Sequence, residues 1–400
     1  MPAPRTVYDA VLHAARDVTK LGCALDAEML GTALLGSVYS VATDDRAEAV
    51  RDFVGRFLTA TTRPATAATA TIREVFAALV PDADGAARVG HDKQAPSWGA
   101  QLGRVRPTGC WAYGDVYGDQ TSYLVTFAYE DSSGGGPDHA VVALVDHNIG
   151  ITKDVFVATD AGTLLAQVRE ICAADELTWF RSEDPGRLRD EVARHLQVTD
   201  ELGELPADGS LATDRALASA RLALLPSVTT PPLTEPIGSN DNDLIRDFLA
   251  SPEAARFDLP TGTAATPEAA SMDFCVSLLL DHAASLPGSE PLRWSPAVAG
   301  LFLLDWVHRR AVLDLDDAAM LPRVVRAWSA YATVHRGLPE AAVRETETAV
   351  EELIPEFARL YTSGERRSPA TAAVAQLIAE GVDPSDTAAI DAWLEANRDD

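Results

Sequence analysis

The residue types best suited to chemistry are concentrated between Asp146 and Asp154, in the stretch DHNIGITKD. Asp146 and His147 follow an apolar run, and Lys153 and Asp154 come shortly afterwards. An imidazole, two carboxylates and an ammonium group can exchange protons and bind polar ligands, so these four residues are the catalytic candidates. The competing interpretation is a solvent-exposed turn, in which the Asp and Asn side chains bond only to the local backbone.

A second candidate site lies just upstream, where the residues alternate in character. Trp111, Tyr113, Asp115 and Tyr117 share one face of a predicted strand, and small residues occupy the other face. This aromatic and acidic face could stack against a ligand, so the four residues are the ligand-binding candidates. An aromatic strand face is also typical of a packed core or a domain interface.

Metal-binding and cofactor-binding patterns are missing from the sequence. It has no GxSxG, GxxxxGK[ST], HExxH, GxGxxG or EF-hand signature. His139 and His147 cannot share an ion if the strand between them is continuous, because about 26 Å would separate them. We therefore predict no metal site and no cofactor. The four cysteines lack CxxC spacing and are expected to be free thiols, namely Cys23, Cys110, Cys172 and Cys275.

Four segments with strand-like alternation or β-branched residues could position these candidates. They are separated by turn residues, which predicts a mainly antiparallel meander. Alanine-rich helical periodicity dominates elsewhere. We predict an α+β fold, a mainly helical chain with a central, mostly antiparallel sheet of about four strands flanked by helical domains. The predicted strands are residues 111–119, 123–129, 140–145 and 151–158, with a further short strand near 177–180.

The chain of 400 residues is longer than one hydrophobic core usually supports. The proline-dense tract PSVTTPPLTEP gives the clearest boundary, since proline interrupts both helices and inner strands. The predicted division is an N-terminal helical domain (1–95), an α+β domain (96–225), a linker (226–238), a helical domain (239–365) and a C-terminal helical hairpin (366–400).

The formal net charge of −27 argues against broad contact with nucleic acids or anionic lipids, whose phosphates are bound mainly by Lys and Arg. The N-terminus has no signal-like pattern, and no apolar run approaches the roughly 20 residues of a spanning helix. We expect a cytoplasmic protein with no nucleic-acid or membrane partner.

Several phrases resemble a family of actinobacterial proteins of unknown function, in the same order from about residue 105 to the C-terminus. They are HAVVALVDHNIGITKDVFV, LIRDFLASPEA, LLDWVHRR, RVVRAWSAYATVHRGLP and EGVDPSDTAAIDAWL. The resemblance implies a bacterial cytoplasmic origin and brings no activity. We therefore predict a non-catalytic regulatory or interaction factor with a protein partner. The alternative is a hydrolase-like enzyme acting on a small molecule at the Asp146–Asp154 hairpin.

Overall fold

The computed structural model describes residues 6–64, 66–90, 95–206, 209–227, 241–260, 266–382 and 386–396. The chain forms two compact units, one of Met1–Asp115 with Gln120–Thr230 and one of Val116–Asp119 with Pro231–Asp400. Of the predicted linker, residues 228–238 lie outside the described part of the chain. The predicted α+β class, mainly helical with an antiparallel sheet, is confirmed, although the sheet has five strands rather than four.

The sheet belongs to the first unit, and every neighbouring pair of its strands is antiparallel. The spatial order is β4-β3-β2-β1-β5. The fifth strand corresponds to the short segment expected near residue 177 and adds to the edge of the meander beside β1. The strands are β1 (Val105–Asp115), β2 (Gln120–Tyr129), β3 (His139–Asp146), β4 (Ile151–Ala158) and β5 (Thr178–Ser182).

The helices of the first unit come mostly before and after the meander. Short 3-10 turns lie at Val18–Lys20, Ala86–Arg88 and Ser97–Gln101. The helices are α1 (Val7–Ala14), α2 (Ala24–Val41), α3 (Arg46–Ala60), α4 (Ala67–Leu79), α5 (Ser132–Gly135), α6 (Ala161–Ala174), α7 (Pro185–Asp200) and α8 (Leu211–Leu222).

Strand β3 is buried on both faces, as its continuous apolar run predicts. Val141 and Ala143 point into the larger core, which also contains side chains of α2, α4, α7 and α8. Ala140 and Val142 point the other way, into a smaller cluster covered by α6. The N-terminal helices and the sheet therefore share one hydrophobic core, and the polar ends of β3 are held by packing on both sides.

The second unit is helical and has a core rich in aromatic side chains, including the buried Trp294 and Trp328. A π-helical turn, Phe302–Trp306, connects two of its helices. In the part of the chain that the structure describes, no helix has the length and apolarity needed to cross a membrane. The helices are α9 (Asp241–Leu249), α10 (Pro252–Arg256), α11 (Pro267–Ser285), α12 (Pro296–Leu301), α13 (Val307–Arg310), α14 (Leu315–His335), α15 (Glu340–Ser363), α16 (Pro369–Ala379) and α17 (Thr387–Ala396).

Candidate functional site

The turn between β3 and β4 holds His147 at the end of the sheet. The Gly150 N–H donates to the Asp146 carbonyl oxygen at 2.9 Å, which closes the turn. Gly150 has a φ of 73°, in the left-handed region that favours glycine. Asp146 Oδ1 accepts a hydrogen bond from the Asn148 N–H at 3.0 Å. The short polar residues after β3 thus build a defined turn rather than a loose loop.

Helix α7 passes beside this turn and is well specified by its sequence. Asp184 caps it by accepting from the Gly186 and Arg187 N–H groups, and Pro185 occupies its first turn. The Thr152 N–H donates to Thr199 Oγ1 at 2.9 Å, which fastens the end of α7 to β4. Positions four apart on a helix lie on the same side, so Glu191 and His195 project together.

Three side chains converge where α7 meets the turn. His147, Glu191 and His195 each offer a ligand atom, and these atoms lie within 4.8 Å of one another. The two imidazole rings are 5.6 Å apart between centroids and stand nearly perpendicular, at 86°. His195 is buried, whereas His147 and Glu191 are partly exposed, so the cluster is fixed by the core on one side and open to solvent on the other.

Hydrogen bonds orient the two rings. His195 Nδ1 lies 2.9 Å from the Glu191 main-chain oxygen, which can only accept, so Nδ1 carries the proton and Nε2 is the acceptor in the neutral ring. His147 Nε2 lies 3.0 Å from Thr121 Oγ1 on β2. Such outer contacts are typical of metal-binding histidines, because they fix the ring and its tautomer.

The two carboxylate oxygens of Glu191 have different neighbours, Arg194 and His195. Its Oε2 accepts an ion-pair hydrogen bond from the exposed Arg194. Its Oε1 lies 3.6 Å from His195 Nδ1, the nitrogen that carries the proton in the neutral ring. Arg194 therefore helps to fix the position of the carboxylate, whose other oxygen lies near His195.

Two imidazoles and one carboxylate form a donor set that binds Zn²⁺ and Fe²⁺ in proteins. Zinc–ligand bonds of about 2.0–2.2 Å in a tetrahedron place ligand atoms about 3.4 Å apart. The observed separations of up to 4.8 Å would have to close by up to about 1.4 Å, which the partly exposed side chains of His147 and Glu191 can achieve by rotation. Three protein ligands would leave a fourth position for water or substrate.

Of the four predicted catalytic residues, only His147 joins this cluster. Asp146 Oδ2 accepts from Gln120 Nε2 at 3.1 Å. Asp154 Oδ1 accepts from the Ser210 N–H at 2.7 Å, in the loop before α8. Lys153 is exposed, at the point where the register between β3 and β4 shifts by one residue. This bulge takes Lys153 out of the regular alternation of β4.

The four predicted ligand-binding residues divide among three surroundings. Trp111 and Tyr113 pack into the small cluster under α6, and the Arg169 guanidinium lies 5.8 Å from the Trp111 ring. Asp115 Oδ2 accepts from the Gln120 N–H at 2.7 Å, across the turn that joins β1 and β2. Tyr117 belongs to the second unit, where its hydroxyl lies 2.9 Å from Glu345 Oε2. Within the first unit, only Trp111 and Tyr113 share a cluster.

Glu191 and His195 were missed by the sequence analysis, although a signal was present. Both lie in the helix predicted from the Asp184-Pro185 start, and the pattern Glu-x-x-x-His places two metal-ligand types on one helical side. The pattern is common in helices by chance. The Glu-x-x-x-His pattern indicates a possible site only because His147 lies beside it, and that proximity arises only in the folded chain.

Known proteins add no further information about this cluster. No protein family, curated protein or solved structure matches the chain.

Proposed function

We propose that the protein is a metal-dependent enzyme of the hydrolase class that acts on a small molecule in the bacterial cytoplasm. The observation that carries the proposal is the convergence of His147, Glu191 and His195 within 4.8 Å. These residues come from a strand-connecting turn and a separate helix, and they meet at a partly exposed place. This refines the hairpin hypothesis, because His147 is retained and its partners become Glu191 and His195.

Zinc is the metal that the donor set favours. At a site of nitrogen and oxygen ligands Zn²⁺ binds more tightly than Fe²⁺, so zinc would occupy the cluster when both ions are available. A zinc ion with three protein ligands keeps one position for water and lowers the pKa of that water to about 7. The metal would then supply a hydroxide nucleophile near neutral pH.

Tyr123 is a candidate for stabilising the charge that develops during hydrolysis. It lies two residues from Thr121 on β2 and therefore on the same face of the sheet. Burial, and then the negative charge of Glu191, raise the pKa of its hydroxyl well above the usual value. A tyrosine keeps its proton at neutral pH even at its usual pKa of about 10, and a neutral hydroxyl can donate a hydrogen bond to an oxyanion.

The first experiment measures zinc binding by the full-length, chelator-treated protein, using calorimetry and metal analysis. We expect one Zn²⁺ per chain. We expect His147→Ala, Glu191→Gln and His195→Ala each to weaken binding by at least about 100-fold, because each removes one of three ligands. The control is His13→Ala, since His13 is exposed on α1, away from the cluster. Equal zinc affinity in the cluster variants and the control would refute the site.

The second experiment tests hydrolysis separately from binding. The zinc-loaded protein is assayed on chromogenic carboxylic, phosphate and amide substrates, with Glu191→Gln as the comparison. Zinc-dependent turnover that is lost in the variant supports the enzyme. Zinc binding without turnover on any substrate would contradict the catalytic proposal and would indicate a structural metal site. Preferential binding of Fe²⁺ would contradict hydrolysis by zinc and would indicate redox chemistry.

A non-catalytic interaction factor with a protein partner remains the second proposal. It is favoured by α16 and α17, which expose the apolar side chains of Val374, Ile378 and Leu394. Exposed apolar side chains are a frequent component of protein-binding surfaces. Replacing all three by serine should abolish association with a partner identified by affinity purification and should leave zinc affinity unchanged. Unaltered association would exclude this surface.

A further inference from the structure

A cavity in the first unit lies apart from the metal cluster and has its own chemical character. It has a volume of about 230 Å³ and is bounded by α2, α3, α8 and the end of α4. Its wall is mostly aliphatic, with two arginines, one aspartate and one serine at its polar part. Its lining includes Leu35, Val50, Arg51, Asp82, Arg215 and Ala216.

Small side chains and a close helix contact explain why the cavity is not filled. A Cβ atom on Gly36 would lie 2.5 Å from the Ala212 carbonyl oxygen, so the backbones of α2 and α8 touch at this point. Ala47, Ala212 and Ala216 line the adjoining space and are too short to fill it. The helices are fixed at the contact and cannot close further, and the remaining space is preformed.

The two arginines at the cavity differ in how their donors are used. Arg215 is almost enclosed, and its Nε and Nη2 lie 3.1 and 2.5 Å from the two carboxylate oxygens of Asp200. Its Nη1 donates to Ser219 Oγ. This guanidinium is therefore committed to the protein. It stabilises the wall rather than offering itself to a ligand.

Arg51 differs from Arg215, because it forms a weak ion pair with Asp82 and both side chains are exposed to solvent. Its Nη1 lies 3.2 Å from Asp82 Oδ2, and the two side chains are 41% and 65% exposed. An ion pair of this kind contributes little in water and exchanges readily. The guanidinium has further N–H groups that could bind a carboxylate in a two-pronged arrangement. Arg51 is thus an adaptable anion-binding group beside an apolar cavity.

We propose that this cavity binds a small amphipathic carboxylic acid, with its hydrocarbon part against Leu35, Val50 and Ala216 and its carboxylate on Arg51. The size fits such a ligand. Apolar cavities of about 150 Å³ accept benzene, and drug-sized molecules need at least about 300 Å³. A volume of about 230 Å³ therefore suits a molecule of about ten heavy atoms.

The test is calorimetry of the full-length protein with sodium octanoate, 1-octanol and octylamine. We expect octanoate to bind once per chain with a dissociation constant on the order of 0.1–1 mM, at least about fivefold tighter than the other two probes. Tighter binding of octylamine would assign the recognition to Asp82 and overturn the proposal. Absence of saturable octanoate binding would also overturn it.

Two matched arginine variants locate the carboxylate. Arg51→Met should weaken octanoate binding about tenfold and leave octanol binding unchanged, because only the charged contact is lost. Arg56→Met is the control, since Arg56 lies on the same helix, is 74% exposed and pairs with Asp52 outside the cavity. Its octanoate affinity should change by less than about twofold. Equal effects of the two substitutions would refute the role of Arg51.

A third variant tests the apolar part of the site. Ala216→Leu adds volume inside the cavity and should abolish binding of octanoate and octanol alike, with a melting temperature equal to or above that of the parent. A folded Ala216→Leu protein that binds octanoate normally would place the ligand elsewhere. If this variant fails to fold, the arginine pair still decides the question, because both of those changes are at partly exposed positions.

Discussion

The two ends of strand β3 carry similar residues in opposite environments. His139 at its start belongs to a network with Glu28, Tyr129 and Arg221, while His147 just after its end belongs to the cluster with Glu191 and His195. Each place contains histidine, glutamate and arginine. They differ in burial, because the His139 network is enclosed and the His147 cluster is partly exposed.

In the His139 network every member is almost completely buried, and each has a partner. Arg221 donates through Nη2 to Glu28 and to the Tyr129 hydroxyl, the latter at 2.9 Å, and through Nε to His139 Nε2 at 3.0 Å. The second oxygen of Glu28 accepts from the Gly103 N–H at 2.7 Å. A buried, satisfied network of this kind specifies structure and leaves no room for a ligand.

The His147 cluster has the opposite properties. Glu191 is partly exposed, its arginine partner lies at the surface, and two histidines rather than one face the carboxylate. Residue type alone therefore does not distinguish a polar group with a structural role from one that could bind a ligand. The distinction lies in solvent access and in the kind of side chain that faces the histidine, which is a guanidinium at His139 and an imidazole at His147.

The largest expected effect comes from breaking the buried network. Arg221→Met should lower the free energy of unfolding by about 3–5 kcal/mol, because it leaves the Glu28 carboxylate buried without a counter-charge. Urea denaturation of the parent and the variant measures this. Glu28→Gln combined with Arg221→Met should recover part of the loss. A change below about 1 kcal/mol would show that the network contributes little to stability.

The next effect is a loss of stability at acidic pH that arises from the titration of His139. Burial, and then the charge of Arg221, lower the pKa of His139 from 6.5 to about 4. Between these values the unfolded chain binds more protons than the folded one, so stability falls as the pH drops from 6.5 towards 4 and is fully present above 6.5. The expected loss from His139 at pH 4.5 is about 2.5 kcal/mol.

Denaturation at pH 7.5 and 4.5, in the parent and in His139→Gln, isolates this contribution. The glutamine oxygen can still accept the Arg221 Nε–H but does not titrate. The variant should therefore lose about 2.5 kcal/mol less than the parent on acidification. Identical losses in both proteins would mean that His139 is not the titrating group.

A smaller effect is expected at the other end of β3. Thr121→Val removes the hydroxyl that contacts His147 Nε2 at 3.0 Å but keeps the β-branched shape. If the hydroxyl positions the imidazole for a metal, zinc affinity should fall about 10- to 100-fold, as for other outer-sphere partners. Calorimetric titration checks this, with Thr121→Ser as the variant that restores the contact. Wild-type affinity in Thr121→Val would show that the ring needs no such support.

The smallest effect is expected for the exposed arginine of the cluster. Arg194 is 55% exposed, so Arg194→Met should change the free energy of unfolding by less than about 1 kcal/mol. The comparison of Arg194→Met with Arg221→Met tests two Arg–Glu pairs, Arg194–Glu191 and Arg221–Glu28, which differ mainly in burial. Thermal or urea denaturation is sufficient. A loss as large as that of Arg221→Met would remove the contrast between the two regions.

Much of the fold could be predicted from local sequence. The alternation and turn residues between residues 111 and 158 predict the strands, and the apolar run of β3 predicts its burial on both faces, because side-chain period and hydrophobicity are local properties. The bounds of the first strand differ, since 111–119 is the prediction and β1 is Val105–Asp115. The capping residue Asp184 and the first-turn Pro185 likewise predict the start of α7, because helix capping is a local property. The predictions of domain boundaries and of a partner stay predictions.

Local residue patterns are sufficient to predict most helices and strands, the turn that presents His147 and the composition of each helix face. Which polar residues meet depends on the packing of distant segments. Glu28 reaches Arg221 across 193 positions, and His147 meets Glu191 and His195 because α7 packs against the sheet, where the Thr152 N–H also donates to Thr199 Oγ1. Such contacts depend on how elements pack in three dimensions, and helix or strand periodicity carries no information about which distant faces will touch.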